Sequence, residues 1–177
     1  MLQGYRCVVR LSVAIAASVC SWLALAAGAP AARLAPCAAS QLSGTFRVIY
    51  GSAGAGSISY ALRLTNRSRT TCFVSGLARL RLLGRAGRPL PTQVRPAFRR
   101  APAARVVLRP GARAKATARF SPDVPGPGEP VARTCEPRAD RVRVTPRAGG
   151  GTLVVPVAPP TPVCEHGRIF LSAFSRA

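Results

Sequence analysis

The feature that most constrains the fold of this chain is an alternation of apolar and polar residues in short segments. In SISYALRLT, residues 57–65, every second residue is large and apolar: Ile58, Tyr60, Leu62 and Leu64. Successive side chains of a β-strand point to opposite faces, so this pattern places one face of a strand on an apolar core. A helix would need an apolar period of about 3.6 residues, which no segment after the N-terminal region keeps for three turns.

The same alternation recurs along the rest of the chain. Further segments are ARLRLL (78–83), VVLR (106–109), ARAKATARF (112–120), RVRVTP (141–146), TLVVPV (152–157) and RIFLSAF (168–174). The connections between them contain many of the 17 prolines and 16 glycines, which favour turns. About seven to nine short strands separated by such turns predict an all-β fold, an antiparallel β-sandwich of immunoglobulin-like type.

Residues 1–31 have the pattern of a secretory signal peptide. Arg6 and Arg10 form a basic start, residues 11–29 contain no charge, and small residues occupy the cleavage-type positions that follow. The uncharged run is also long enough to span a bilayer, so an uncleaved signal-anchor is the alternative. Both interpretations predict one extracytoplasmic β-sandwich domain over residues 37–175.

The four cysteines beyond this leader are Cys37, Cys72, Cys135 and Cys164. An even number in an oxidising compartment predicts two disulfides, for which three connectivities are possible. We predict the sequential pairing, Cys37–Cys72 and Cys135–Cys164. It closes loops of about 35 and 29 residues, each worth about 3–4 kcal/mol in the chain-entropy account.

The segment LTNRSRTTCFVSG, residues 64–76, looks the most chemical. Asn66 begins an N-x-S triplet, so the segment is a glycan acceptor, a reactive thiol, or a strand and turn held by a disulfide. The even cysteine count argues against a free thiol. We favour a strand ending at Thr65 and a polar turn in which Asn66 and Ser68 bond their own backbone, before Cys72 begins the next strand.

The order of several motifs resembles a known family. They are a Cys-x-x-x-x-Leu at 37–42, the small-residue segment GSAGAGS at 51–57, NRSRTTCFVSG at 66–76, LRPGARA at 108–114, and two later cysteines. This set is similar to the actinobacterial extracytoplasmic domain of unknown function 4232, over residues 37–175. That family more often has Gly-Tyr-Pro after the second cysteine, where this chain has SGLA. The resemblance implies export or surface anchoring, a β-sandwich and structural disulfides, and it implies no activity.

The chain has few groups suited to catalysis or metal binding. Beyond the leader it contains one histidine, His166, and five carboxylates: Asp123, Glu129, Glu136, Asp140 and Glu165. Acid–base catalysis needs paired groups in one cleft, and a metal site needs several ligands at workable spacing. GSAGAGS lacks the lysine and helix of a phosphate loop and is interpreted as a hairpin connection. We therefore expect no enzyme activity, no catalytic or metal site, and no cofactor.

The net charge of +21 is the remaining functional signal. It is almost entirely arginine and is explained either by codon bias in a GC-rich genome or by a binding surface. The strand pattern predicts these solvent-facing candidates for polyanion binding: Arg63, Arg79, Arg81, Arg113, Lys115, Arg119, Arg141 and Arg143.

We accordingly expect an exported, non-enzymatic binding module of the bacterial cell envelope. Its expected partners are anionic cell-wall polymer, a membrane surface, or another envelope protein. The alternative is a structural protein–protein interaction domain without a polyanion ligand. Because aromatic residues make up only 6% of the chain, no specific nucleic acid is expected.

Overall fold

A computed structural model of the protein describes residues 34–98 and 104–177. The predicted signal sequence, with Cys7 and Cys20, lies outside the described residues. The described part is built from these strands: β1 Leu42–Val48, β2 Ile58–Asn66, β3 Cys72–Ser75, β4 Arg79–Leu83, β5 Gln93–Pro96, β6 Arg105–Leu108, β7 Arg113–Phe120, β8 Ala139–Thr145, β9 Leu153–Thr161, β10 Arg168–Leu171 and β11 Ser175–Arg176. Short turns occupy Ala39–Gln41 and Cys164–Gly167. The predicted all-β fold class is confirmed.

The strands form a large sheet and a small one. The large sheet has the order β4-β8-β9-β1-β2-β7-β10-β5, with β11 also paired to β7, and the small sheet consists of β3 and β6. Most pairings are antiparallel, as predicted. Two are parallel, β1 with β9 and β10 with β5. No helix of the described residues is long and apolar enough to cross a membrane.

Strand β9 joins the two halves of the large sheet. Its first residues pair with β8, whereas Val157 and Ala158 pair with Phe46 and Arg47 of β1. Strands β6 and β7 follow each other around the turn at Pro110-Gly111 but pair with β3 and β2 respectively. The two sheets share one apolar core, as a sandwich requires. The immunoglobulin-like detail stays a prediction.

The core alternates large and small residues across strands. The register sets Tyr60, Leu62 and Leu64 of β2 opposite alanines of β7, and all of these side chains are buried. Large residues therefore fill the space that the alanine-rich strand leaves. Tyr60 also packs between the rings of Phe46 and Phe120, with both centroid separations 5.2 Å. Its hydroxyl donates to the Pro159 carbonyl oxygen at 2.9 Å, and burial raises the pKa of that hydroxyl.

Two disulfides link Cys37 with Cys72 and Cys135 with Cys164, which is the sequential pairing. The first holds the N-terminal segment beside β3, where the Cys37 N–H donates to the Phe73 carbonyl at 2.9 Å. The second joins the long loop before β8 to the turn before β10. Because such bonds persist in oxidising compartments, both indicate an extracytoplasmic environment.

Candidate functional site

The eight predicted cations fall into two groups on the large sheet. Four lie on neighbouring strands β2 and β7 and are here called the β2–β7 basic face: Arg63, Arg113, Lys115 and Arg119. The other four lie on β4 and β8 and are called the β4–β8 basic face: Arg79, Arg81, Arg141 and Arg143. All eight are exposed, as predicted. In the sheet order β9 and β1 separate the two groups, so the residues do not form one patch.

The β2–β7 basic face is continuous because the pairing register aligns its members. Arg63 lies directly opposite Lys115, while Arg113 and Arg119 are paired with Thr65 and Ser59 on the same side of the sheet. Arg47 of β1 extends this side, since it is paired with Ala61. Sequence reasoning missed Arg47, although its position next to Phe46 in β1 fits the same alternation.

Four of the five carboxylates lie in loops and turns, and the fifth, Asp140, lies on β8. In residues 34–98 and 104–177 one salt bridge joins Arg168 to Glu165 at 3.2 Å, and the His166 Nδ1 atom lies 3.7 and 3.9 Å from carboxylate oxygens of Glu129 and Glu136. None of the eight predicted cations is in a salt bridge within that part of the chain. The positive charge of both faces is therefore left for solvent or for a ligand.

The β4–β8 basic face sets like charges against each other. Arg81 lies directly opposite Arg143, which in turn faces the half-exposed Val154 of β9. The Arg141 guanidinium donates from Nη2 to the Arg85 carbonyl oxygen at 2.6 Å. Arg141 is thus partly engaged by the chain itself, and so is Arg119 of the β2–β7 basic face, whose Nε donates to the Ser57 hydroxyl at 3.0 Å.

A groove of about 760 Å³ lies at the Arg119 end of the β2–β7 basic face. Its polar lining includes Ser59, Thr117, Arg119 and Glu165, and its apolar lining includes Phe170. Its volume is within the range of about 300–1,000 Å³ typical of small-molecule sites. Of these residues only Arg119 was predicted as a binding candidate, because the groove forms between strands that are distant in the sequence.

A cluster of polar contacts around Glu129 connects the long loop between β7 and β8 to the turn at Cys164–Gly167. The Glu129 side chain is buried, and its carboxylate accepts hydrogen bonds from the backbone N–H groups of Gly126, at 2.6 Å, Glu165, at 2.8 Å, and His166. Glu165 and His166 both have a φ of 56°, in the left-handed region. Non-glycine residues rarely adopt this region, and here it aims two successive N–H groups at one carboxylate.

The pKa values of the two clustered glutamates move in opposite directions. Burial raises the pKa of Glu129, but the N–H donors of His166, Gly126 and Glu165 together outweigh it and leave that pKa below its ordinary value. The pKa of Glu136 is raised by burial and then by the negative charge of Glu129, against an opposing effect of His166. The cluster therefore contains one firmly ionised carboxylate beside one that resists ionisation.

Glu129, Glu136 and His166 each have one ligand-type atom within 4.8 Å of the others, a spacing that a metal ion requires. Both oxygens of Glu129 already accept backbone N–H groups. These hydrogen bonds give the cluster a structural role, because they connect the loop to the turn at Cys164–Gly167. Sequence reasoning treated these acids as scattered, although the predicted Cys135–Cys164 bond already implied that Glu136 lies near His166.

Comparison with known proteins identifies the family. The model of the family described as Domain of unknown function (DUF4232) matches residues 37–175. The chain belongs to this family. The predicted family resemblance is thereby confirmed, and the DUF4232 match spans both disulfides, both basic faces and the groove. No curated protein and no solved structure matches the chain significantly.

In this DUF4232 domain Asn66 is a structural residue. Its amide nitrogen donates to the carbonyl oxygens of Thr70 and Leu108, at 2.8 and 2.9 Å, and its amide oxygen accepts from both the N–H and the hydroxyl of Ser68. The side chain is fully buried. Both amide hydrogens are therefore used, so the folded N-x-S triplet presents no accessible glycan acceptor. The polar turn expected after Thr65 is confirmed.

Proposed function

We propose that this DUF4232 domain is an exported, non-enzymatic module of the bacterial cell envelope that binds anionic polymer or lipid headgroups through its β2–β7 basic face. The observation that supports this most is the alignment of Arg63 with Lys115, flanked by Arg113 and Arg119, without a carboxylate partner in the described chain. Arginine forms paired hydrogen bonds with phosphate, which gives such a face geometric as well as electrostatic preference for phosphate-bearing ligands.

The sheet holds these charges at fixed spacings. Residues two apart on one strand are about 6.6–6.8 Å apart, and neighbouring strands are about 4.7–4.9 Å apart. A flexible polyanion lying on β7 meets Arg113 and Lys115 in succession, and Arg63 across the strand gap. Because strand pairing fixes the backbone at these positions, binding needs to order the cationic side chains but not the backbone.

The compartment supports the same proposal. Residues 1–31 have the pattern of a signal peptide, cleaved or retained as an anchor, and the two disulfides suit an oxidising environment. Outside the membrane the abundant polyanions are phosphate-rich wall polymers and anionic headgroups. We therefore place the ligand among these rather than among nucleic acids.

Co-sedimentation of the exported protein with vesicles tests the proposal. We expect binding to phosphatidylglycerol vesicles and to purified anionic wall polymer, but not to phosphatidylcholine vesicles. Binding should weaken at least tenfold between about 0.05 and about 0.5 M NaCl, because each phosphate contact releases counterions. Absence of binding at low salt, or binding that salt leaves unchanged, would contradict the proposal.

Two variants with the same net charge distinguish binding by a defined face from binding by net positive charge alone. One replaces Arg63, Arg113, Lys115 and Arg119 with Gln, and the other replaces Arg79, Arg81, Arg141 and Arg143 with Gln. We expect the first to lose at least about tenfold in affinity and the second less than about threefold, because only the β2–β7 basic face is extended by Arg47 and borders the groove. Equal losses would mean that net charge alone drives binding.

A second candidate function is protein–protein interaction through the loop between β7 and β8. Val131 is 87% exposed and Val124 50% exposed in this loop, which Glu129 holds in place from within. A fixed loop with exposed apolar side chains costs little entropy to dock against a partner. An envelope protein that co-purifies with the domain and stays bound at high salt would favour this function over polyanion binding.

A further inference from the structure

Four strands bring polar and aromatic side chains into one row at the groove. The registers pair Ser59 of β2 with Arg119 of β7, Arg119 with Phe170 of β10, and Phe170 with Arg95 of β5. Ser59, Arg119 and Phe170 all line the groove of about 760 Å³. Phe170 is 40% exposed there. The row thus places an open aromatic ring beside a cation in a space that suits one small molecule.

The Arg119 guanidinium is held in position before any ligand arrives. Its Nε donates to the Ser57 hydroxyl at 3.0 Å, and that hydroxyl donates to the Gly54 carbonyl oxygen at 3.1 Å. No hydrogen bond or salt bridge occupies the two Nη groups among residues 34–98 and 104–177. An anchored guanidinium with both Nη groups open can bind a phosphate through paired hydrogen bonds, at a reduced entropy cost.

The floor of the groove carries hydroxyl groups that the protein leaves open. The side-chain hydroxyls of Ser59 and Thr117 have no hydrogen-bond partner in the described part of the chain, although both residues are half-buried. Glu165, also in the lining, uses only its Oε1 atom, which accepts from Arg168 at 3.2 Å. Hydroxyls and a carboxylate oxygen match a polyol, whose own hydroxyls both donate and accept.

From these contacts we propose that the groove binds one sugar-phosphate unit. The phosphate lies on Arg119, the apolar face of the sugar ring packs on Phe170, and the sugar hydroxyls bond Ser59, Thr117 and Glu165. This inference rests on the proposed function and names the repeat unit that the β2–β7 basic face recognises. An uncharged sugar would leave Arg119 unused, and a purely apolar ligand would leave the open hydroxyls unsatisfied.

Titration of the exported protein with glucose 1-phosphate tests the assignment. Calorimetry gives the affinity, and amide shifts in NMR spectra locate the site at Thr117, Arg119 and Phe170. We expect glucose 1-phosphate to bind at least about tenfold tighter than either glucose or inorganic phosphate, because it engages both halves of the groove. The proposal is overturned if inorganic phosphate binds as tightly, or if adenosine monophosphate binds tighter than glucose 1-phosphate.

Matched variants on the same sheet face locate the effect. Arg119→Gln should lose at least about tenfold in affinity for glucose 1-phosphate, whereas Arg113→Gln, six residues away on β7, should lose less than about threefold. Thr117→Phe should fill the groove and abolish binding, whereas Thr45→Phe on β1 should not. Phenylalanine is favoured in strands, and an unchanged thermal midpoint verifies that both threonine variants fold. Equal effects within either pair would contradict the proposal.

Comparing vesicle binding with glucose 1-phosphate binding tests this inference separately from the proposed function. Thr117→Phe keeps every cation of the β2–β7 basic face, so vesicle binding should persist in this variant while glucose 1-phosphate binding is lost. If the wild-type protein binds vesicles but not glucose 1-phosphate, the groove assignment fails and the polyanion module stands. If it binds neither, both fail.

Discussion

The Asn66 side chain connects separate parts of this fold through its hydrogen bonds. Its amide bonds the turn that follows β2 and, through Leu108, the end of β6 in the other sheet. Its backbone groups pair with Ala112 and Gly111, at the turn before β7. A buried amide whose donors and acceptor are all used contributes specificity, because only asparagine places such an amide at this distance from the backbone.

Replacing Asn66 tests this role. In Asn66→Asp a carboxyl oxygen faces the carbonyl oxygens of Thr70 and Leu108, so we expect the free energy of unfolding to fall by about 3 kcal/mol or more. Ser68→Ala removes a partly exposed hydroxyl that contacts Asn66 and Thr70, and it should cost about 1 kcal/mol. Urea denaturation measures both. A cost for Asn66→Asp no greater than that for Ser68→Ala would contradict the assigned role.

At the scale of the element, the long loop between β7 and β8 is ordered by a buried charge rather than by strand pairing. The Glu129 carboxylate collects three N–H groups, and the Cys135–Cys164 bond closes the same region. Gly126 is required there, because an added Cβ would lie 2.9 Å from the Glu165 Cα. The loop therefore depends on the ionisation of one residue, which makes its stability sensitive to pH.

Two substitutions in this loop should have opposite pH signatures. The folded pKa of Glu129 is lowered, so its stabilisation is present above the ordinary glutamate pKa of about 4.3 and is lost as pH falls through the folded value. Glu129→Gln should lower the free energy of unfolding by about 2 kcal/mol at about pH 7, and the deficit should shrink in acid.

Glu136 provides the counterpart. Its folded pKa is raised, so wild-type stability declines as pH rises from about 4.3 through the folded value, and Glu136→Gln should remove that decline. Urea unfolding across this pH range measures both slopes. Asp123→Asn, at an exposed loop residue outside the cluster, is the control and should change stability by less than about 0.5 kcal/mol. For each variant, the difference in unfolding free energy from the wild type is plotted against pH. Slopes of the same sign for Glu129→Gln and Glu136→Gln would contradict the assignment.

Strands with one buried face were predictable from the sequence, and the others were not. The alternation in 112–120 predicted the buried alanines and exposed cations of β7 as the structure has them. Strand β5 was missed because its four residues, Gln93–Pro96, have no buried member and so no apolar period. The same alternation predicted that the arginine side chains face solvent. Their division into two basic faces could be seen only from the order of strands in the sheet.

The cluster of Glu129, Glu136 and His166 could not be predicted from the sequence, for a different reason. The contact of Glu129 with His166 depends on two non-glycine residues in the left-handed region, at Glu165 and His166, which no local pattern signals. The groove was hidden likewise, since Ser59, Arg119 and Phe170 meet only through pairing of three strands. Features set by local periodicity were therefore predictable, and features set by long-range register were not.

At the scale of the whole molecule, a net charge of +21 on 177 residues opposes folding through repulsion. The sheet aligns like charges across strands twice, Arg63 with Lys115 and Arg81 with Arg143. Like charges directly opposite each other destabilise a strand pair by about 0.2–1 kcal/mol. Such repulsion persists in the free protein and is relieved by any bound polyanion, so ligand binding and stability are linked.

A charge reversal on the face outside the groove tests this repulsion without disturbing the proposed ligand site. Arg143→Glu should raise the free energy of unfolding by about 1 kcal/mol at low salt, because it replaces the repulsion with Arg81 by an ion pair. Arg109→Glu makes the same change in net charge at an exposed turn and should gain only about 0.3 kcal/mol.

Both gains should disappear near about 0.5 M NaCl, where screening removes the field that they relieve. Wall polymer added at low salt should likewise raise the thermal midpoint of the wild-type protein, because it neutralises the same field. Equal gains for Arg143→Glu and Arg109→Glu would place the cost in the net charge alone. A loss of stability in Arg143→Glu at low salt would instead mean that the Arg81 and Arg143 side chains are held apart and do not repel each other.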